Sequence, residues 1–280
     1  MIRASVVGGM NLDVIGAVKS TLIARDSNPG EVYFSAGGVG RNIAEQLANA
    51  GAQTRLFTCL SDDFAGRMLE SDCAEKKLDL TFARRVHGRA SCYVSLHAPD
   101  GDMALAVNDM ALMDELTVSY LSGVLSAINQ ADVCVLDANL SPECLAFLAE
   151  NVRVPMVADP VSCHKAEKLK PVFSRLAAFK PNLIEAQMLT GEADAPRAAR
   201  KLLEMGVKRV IISLGAEGAY YADAAECGFL APMTTFTCQA NGAGDAMCAG
   251  IALGVAQDLS ARGCAENGMA RSTALLAARV

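Results

Sequence analysis

Hydrophobic and polar positions change their period along this chain, and the changes mark out its elements. Ala4 to Gly8 is a short apolar run that predicts a buried strand. Val14 to Ile23 and Glu31 to Ser35 are strand-like and flank the turn-prone Asp26-Ser27-Asn28-Pro29-Gly30. From Gly40 to Ala50 the period becomes helical. Ile43, Ala44, Leu47 and Ala48 share one face there, and Gly51 is placed to cap the C-terminus. Thr54 to Leu60 predicts another strand, and Ser61 an N-cap for a helix over Asp62 to Lys76. Ser91 to His97 and Met103 to Val107 predict a hairpin around Pro99-Asp100-Gly101-Asp102.

From Asp114 onward, strands and helices alternate. Helices are predicted at Tyr120–Gln130, Pro142–Asn151, Lys165–Ala178 and Ala195–Met205, with one starting after Asn182 and a last long one from Gly244. Strands are predicted at Asp132–Asp137, Pro155–Asp159 and Arg209–Leu214, followed by a hairpin through Tyr220 and Phe229. This order predicts an α/β fold, a mainly parallel sheet covered on both faces. The early hairpin segments do not fit inside such a sheet and read as a small β appendage. No internal repeat or low-complexity linker divides the chain, so residues 1–280 read as a single domain.

Composition narrows the function classes. A formal net charge of −6 and the lack of a Lys/Arg-rich run argue against a nucleic-acid polymer as partner. The ten cysteines are scattered with no C-x-x-C pair, and most sit in apolar surroundings such as Val133-Cys134-Val135-Leu136. They read as reduced thiols of a cytoplasmic protein. His87, His97 and His164 share no ligand spacing, so no zinc site is expected. The N-terminal apolar stretch is too short for a signal sequence, and no apolar run approaches the roughly 20 residues that span a bilayer.

Three glycine-containing segments carry candidate chemistry. Asn241-Gly242-Ala243-Gly244-Asp245-Ala246 follows the extended run Thr234 to Cys238 and opens an apolar helix. Small residues at a helix start leave backbone N–H groups free to face an anion, and Asp245 could reach a hydroxyl held there. Those are the parts phosphoryl transfer needs. A tight turn with an ordinary first-turn carboxylate fits the segment equally well. Gly37-Gly38-Val39-Gly40-Arg41-Asn42 lets a ligand approach the backbone beside the Asn42 amide, or is only a loop before a helix. Gly8-Gly9-Met10-Asn11-Leu12-Asp13 delivers an amide and a carboxylate at a strand end. Asp13 could grip two hydroxyls or merely end the strand. No G-x-x-x-x-G-K-S/T occurs, nor a dinucleotide-type glycine motif between strand and helix.

In their order, five strings resemble the ribokinase-type (PfkB) carbohydrate kinases: Gly8 to Asp13, Ala36 to Asn42, Asn182 to Glu185, Ser213 to Gly218 and Gly242 to Ala246. The resemblance covers residues 1 to about 255. It implies a ribokinase-like three-layer α/β/α sandwich with a small β-sheet lid, formed by about residues 14–35 and 90–108. It also implies transfer of the ATP γ-phosphate to a sugar hydroxymethyl, with Mg²⁺. By position, Asp245 would be the catalytic base, and Gly242, Ala243 and Gly244 the anion hole. Asn11, Asp13, Gly38 and Asn42 would hold the sugar. Asn182 and Glu185 would act on the phosphate side, with Glu185 serving Mg²⁺ indirectly. Ser213, Gly215 and Gly218 would line the nucleotide site, with Asn241 beside the anion hole. Lid strands in this family often pair between subunits, which implies a homodimer.

Three further strings resemble the pseudouridine-kinase branch: Asn108-Asp109-Met110, Asp137-Ala138-Asn139-Leu140-Ser141, and Asp159-Pro160-Val161-Ser162 followed by Lys165. In that branch Asn108, Asp109 and Asn139 would lie near the bound nucleoside, and Lys165 near the ATP phosphates. A solvated hairpin end for Asp109 and a surface lysine for Lys165 remain equal alternatives. The acceptor could also be another nucleoside or a ribose-type sugar, or the chain a catalytically weak nucleoside-binding protein. Two departures stand out. Gln239, Ala240 and Asn241 replace the family's D-T-T, so a monovalent-cation site is in doubt. Residues after Ser260 match poorly and stop at Val280, short of the usual strand and helix, so either adenine is held differently or the chain is truncated or frameshifted near its end, with poor nucleotide affinity as the expectation.

Overall fold

The computed structural model describes residues 1–234 and 241–279. Residues 235–240, with most of the run expected at Thr234–Cys238 and the Gln239–Ala240 departure, lie outside the described residues. Strands β1 (Arg3–Val7), β2 (Asn11–Val18) and β3 (Gly30–Gly37) come first. Helix α1 (Val39–Asn49), β4 (Gln53–Phe57), β5 (Cys59–Ser61) and α2 (Phe64–Glu75) follow. Then come β6 (Arg84–Val86), β7 (Cys92–His97), β8 (Met103–Asp109), α3 (Val118–Ile128), β9 (Val133–Asp137), α4 (Pro142–Asn151) and β10 (Met156–Asp159). After α5 (Cys163–Ala166) the chain forms β11 (Leu176–Phe179), α6 (Leu183–Thr190), α7 (Ala195–Glu204), β12 (Val210–Ser213), β13 (Ala219–Ala222) and β14 (Cys227–Leu230). Helices α8 (Ala243–Ala256) and α9 (Ala261–Ala277) close the described chain.

The main sheet has the order β14-β13-β12-β11-β10-β9-β1-β4. It is parallel from β4 to β12 and antiparallel at β13 and β14. Its central strands are buried on both faces, and successive residues enter different cores. Val6, Val135, Val157 and Ile211 pack with α1, α2, α8 and α9. Val7, Leu136, Ala158 and Ile212 pack with α3, α4, α6 and α7. That two-sided burial makes an α/β/α sandwich, and it explains why the strands read as continuous apolar runs. A second sheet of order β3-β2-β7-β8 stands apart as the lid, and β5 pairs with β6 in a third.

Four expectations are corrected. The strand expected at Thr54–Leu60 is two strands in different sheets. Phe57 O accepts from Gly8 N at 3.1 Å, while Thr58 O accepts from Arg84 N at 2.8 Å, so the chain leaves the main sheet at Thr58. The N-cap of α2 is Asp63, which accepts from Gly66 N, and Ser61 supports it by donating to Asp63 at 2.7 Å. The helix expected at Lys165–Ala178 is α5, then a 3-10 stretch over Glu167–Arg175 holding Pro171, then β11. Leu176-Ala177-Ala178-Phe179 is buried at every residue, and a four-residue apolar run has no period to tell strand from helix. The lid strand expected at Val14–Ile23 begins at Asn11 and ends at Val18, where Lys19 N donates to Pro29 O at 3.1 Å and closes the connection.

Candidate active site

The C-terminal ends of the parallel strands gather the polar groups. Asp137 ends β9, Asp159 ends β10, Lys180 follows β11 and Ser213 ends β12. Ligands of open α/β sheets bind at this edge because loops and helix starts converge there. The loops from β1 and into α1 approach so closely that only glycine fits. A Cβ on Gly40 would lie 2.7 Å from the Gly8 carbonyl carbon, and Gly38 has φ 98° with Gly9 O 2.5 Å from its Cβ position. Asp137 locks this junction. It is fully buried and accepts from Gly9 N at 2.8 Å, Gly40 N at 2.9 Å and Asn139 N at 2.9 Å. Burial pushes its carboxyl up, and these hydrogen bonds work against that shift.

Helix α8 starts after Gly242, which has φ 74° and provides no side-chain cap. Its first-turn N–H groups are therefore left for an anion. Asp245 lies in that first turn, and its Oδ2 accepts from Asn42 Nδ2 at 2.8 Å, joining α8 to α1. Burial, reinforced by the negative charge of Asp159, pushes the Asp245 carboxyl up to about 7, against the Asn42 hydrogen bond and the Lys180 charge. A carboxylate tuned there can take a proton near neutral pH.

Lys180 and Asp159 form an ion pair beneath this turn, 3.1 Å apart, with both side chains only 6% exposed. Burial works against the Lys180 charge, but Asp159, with Cys248 and Glu185, outweighs it and holds the ammonium above its ordinary range. The Cβ position of Gly244 lies 3.4 Å from Lys180 Nζ, so the cation backs the turn directly.

Two cavities meet at this turn. One, of about 550 Å³, is lined by Asp13, Asn42, Asn241 and Gly242 together with Ile15, Phe34 and Met68. The other, of about 500 Å³, is lined by Asn182, Ser213, Gly215 and Gly218 and by Ala243 and Gly244, the turn residues next to the Asn241 and Gly242 that line the first. Its far side is apolar, with Met247, and with Met269 and Leu276 from α9. The C-terminal segment, expected from the sequence to match the family poorly, therefore supplies the wall of this cavity. Ser272 Oγ also donates to Ala243 O at 2.6 Å, and Arg279 Nη1 donates to Asn241 O at 2.6 Å, tying α9 to the turn.

The remaining expected residues divide. Asn11 Nδ2 donates to Asp13 Oδ1 at 2.5 Å, and burial raises the Asp13 carboxyl. Asn108 lies in one cross-strand row with Tyr93, Asp13 and Ser35, so it shares the lid face of Asp13. Asp109 is one residue on, on the opposite face, where it accepts from Ala111 N. Lys165 and Asn139 touch each other: Lys165 Nζ donates to Asn139 Oδ1 at 2.6 Å, and burial lowers the lysine. Asn182 and Glu185 form a reciprocal capping box at the start of α6, and burial raises Glu185. Neither Lys165 nor Glu185 lines the second cavity. Sequence reasoning missed Asp137, Lys180 and Arg41 as site residues. Charged residues ending or following wholly apolar strands were the available signal for Asp137 and Lys180.

The pfkB family carbohydrate kinase model matches residues 1–277 and so extends through α9. The chain belongs to this family. It is 37% identical over 255 residues to the pseudouridine kinase of Escherichia coli K12, covering 88% of this chain and 82% of that protein. It is 26% identical to the ribokinase of Haemophilus influenzae, over 77% of this chain and 73% of that one. Among solved structures, a carbohydrate kinase from Agrobacterium tumefaciens superposes with TM-score 0.85 at 27% identity, covering 97% of this chain and 90% of the other. Thermotoga maritima ribokinase gives 0.87 at 21%, over 97% and 92%, and shows the shared fold. The chain is thus an ATP-dependent sugar or nucleoside kinase of the PfkB family with a ribokinase-like fold. Among the described residues no helix is long and apolar enough to cross a membrane.

Proposed function

We propose that this PfkB kinase transfers the γ-phosphoryl group of ATP to the 5′-hydroxymethyl of pseudouridine. The observation that carries this reading is the turn at the start of α8, whose Gly242 lines one cavity and whose Ala243 and Gly244 line the other, with Asp245 in the same first turn and bonded to the cavity-lining Asn42. Asp13 and Asn42 would hold the sugar hydroxyls on one side, and Ser213, Gly215 and Gly218 would border ATP on the other. Asp245 accepts the hydroxyl proton as the oxygen bonds to the γ-phosphorus. The bond from that phosphorus to the bridging oxygen breaks, ADP leaves with the electron pair, and Asp245 returns its proton to water. The turn's N–H groups, backed by Lys180, take up charge on the transferring group.

Apolar walls at Ile15 and Met68 favour an acceptor with a planar base over a free pentose, as does the Escherichia coli relative. Among the described residues no cluster of three or more His, Cys, Asp or Glu is arranged to hold a metal directly. A Mg²⁺ ion carried by the ATP phosphates would be served by Asn182, which lines the second cavity, and by Glu185 only indirectly, through its capping box with Asn182. The ion supplies charge neutralisation to the phosphates. Release of ADP with ATP–Mg²⁺ tests the reading against pseudouridine, uridine, adenosine, ribose and fructose. Turnover on pseudouridine far above the others is expected, and preference for ribose or another nucleoside would discard the acceptor while keeping the chemistry.

The lid supports a homodimer. Its sheet carries two apolar cross-strand rows on one face, Phe34-Val14-Val94-Val107 and Val32-Gly16-Leu96-Leu105. Phe34 is 55% exposed, and Leu105 and Val107 are each 61% exposed. Contiguous exposed apolar rows of this kind mark association surfaces. Leu105→Lys with Val107→Lys is expected to convert a dimer to monomer by light scattering. A wild-type chain already monomeric at assay concentrations would sink this assignment.

A further inference from the structure

Arg41 lies in the first turn of α1 and lines the first cavity beside Asn42, with Glu45 and Asp72. Its side chain is 5% exposed and is gripped from two helices. Asp72 of α2 accepts from Nε at 3.1 Å and from Nη2 at 2.5 Å, and Glu45 of α1 lies 2.7 Å from Nη1. Lys76 holds Glu45 in turn at 3.1 Å. The same Nη1 donates to Asn42 Oδ1 at 3.0 Å, and Asn42 Nδ2 donates to Asp245 Oδ2 at 2.8 Å. A side-chain amide has one accepting and one donating end, so a donor fixed at its oxygen forces its NH₂ the other way.

From this chain of contacts we infer that Arg41 is a positioning residue for the base. Clamped by Asp72 and Glu45, it sets the Asn42 amide so that one oxygen of Asp245 is held and the other faces the acceptor hydroxyl. The inference rests on the proposed role of Asp245. A free guanidinium would serve less well. The planar fork spans Asp72, Glu45 and Asn42 at once, which a lysine ammonium at the end of a flexible stem does not reproduce.

The consequence is a pH signature. The Asn42 hydrogen bond stabilises the charged form of Asp245 and so lowers its pKa. The other groups facing this carboxyl are Asp159 from β10, Lys180 after β11 and Asp137 from β9, and none of them touches Arg41. Losing the Asn42 orientation raises the Asp245 pKa. Because the base must be unprotonated, the acid limb of activity then moves to higher pH.

The test measures kcat and KM against pH for wild type, Arg41→Met, Arg41→Lys and Asp72→Asn. Asp72 is partly exposed, so its variant keeps the fold accessible should Arg41→Met fail to fold. Expected are a fall in kcat of about tenfold or more for Arg41→Met at neutral pH, with the KM for ATP little changed. The acid limb moves up in Arg41→Met and, by less, in Asp72→Asn, and Arg41→Lys restores it only in part. Full restoration by Arg41→Lys with no shift in Asp72→Asn would mean that charge alone acts, and would overturn the inference. So would reduced kcat with an unmoved acid limb, which is the mark of a purely structural pin. An Asp245→Asn enzyme that keeps turnover would instead remove the proposed base itself, a separate failure.

Discussion

Asp245→Asn is expected to lower kcat by at least ~10²-fold while leaving the acceptor KM within a few-fold of wild type. The amide is the same size and sits at the same helix start, so the turn and its free N–H groups are preserved. It cannot take the proton of the attacking hydroxyl. Asn42, whose Nδ2 now donates to the carboxylate at 2.8 Å, can still donate to the amide oxygen, so local packing changes little. The wild-type pH profile provides a second check. Burial and Asp159 place the Asp245 carboxyl at about 7, so turnover should fall as the pH drops through that value and the base becomes protonated. Single-turnover and steady-state assays across pH would measure both. Near-normal turnover in the variant, or a flat profile below neutrality with chemistry rate-limiting, removes Asp245 from the proton transfer.

Lys180→Met is expected to have the largest effect on stability. Both partners of the Lys180–Asp159 pair are almost wholly withdrawn from water, with side chains 6% exposed and 3.1 Å apart. Replacing the cation leaves the Asp159 carboxylate buried without its partner, a change that typically costs about 3–5 kcal/mol. Activity suffers separately. Asp245 loses the Lys180 charge that holds its pKa down while Asp159 continues to push it up, so the acid limb should move above its wild-type position. Combining Lys180→Met with Asp159→Asn removes both charges and should recover much of the stability without restoring turnover. Urea unfolding of the three variants beside the pH profile separates these effects. A Lys180→Met midpoint equal to wild type would show that the pair is not a structural requirement.

The glycine motifs were legible because they are local. Gly242 to Asp245 announces a helix start with free N–H groups and a carboxylate within one turn, and the structure places it there. Asn182 and Glu185 were legible as a pair too, but their spacing of three also writes a capping box, and the backbone bonds they make are those of a box. The hairpin at Ser91–Val107 was read correctly because its turn residues have a conformational reason to be there. β11 was not, since four buried apolar residues after a proline-containing segment carry no period. The split at Thr58 depends on which carbonyl takes the N–H groups of Gly8 and Arg84, both far away in sequence.

By itself, then, the sequence determined the α/β class, the order of the glycine motifs and a carboxylate in the first turn after Gly242, whose role as base is what the family resemblance implies. Each is written in neighbouring residues, where periodicity, capping and turn chemistry operate. Only the tertiary structure decided that Asn42 reaches Asp245 across 203 positions, that Lys180 pairs with Asp159 beneath the turn, and that α9 walls the second cavity. Those pairings follow from strand order in the sheet. Strand order sets which strand ends and helix starts meet, and spacing along the chain does not encode it.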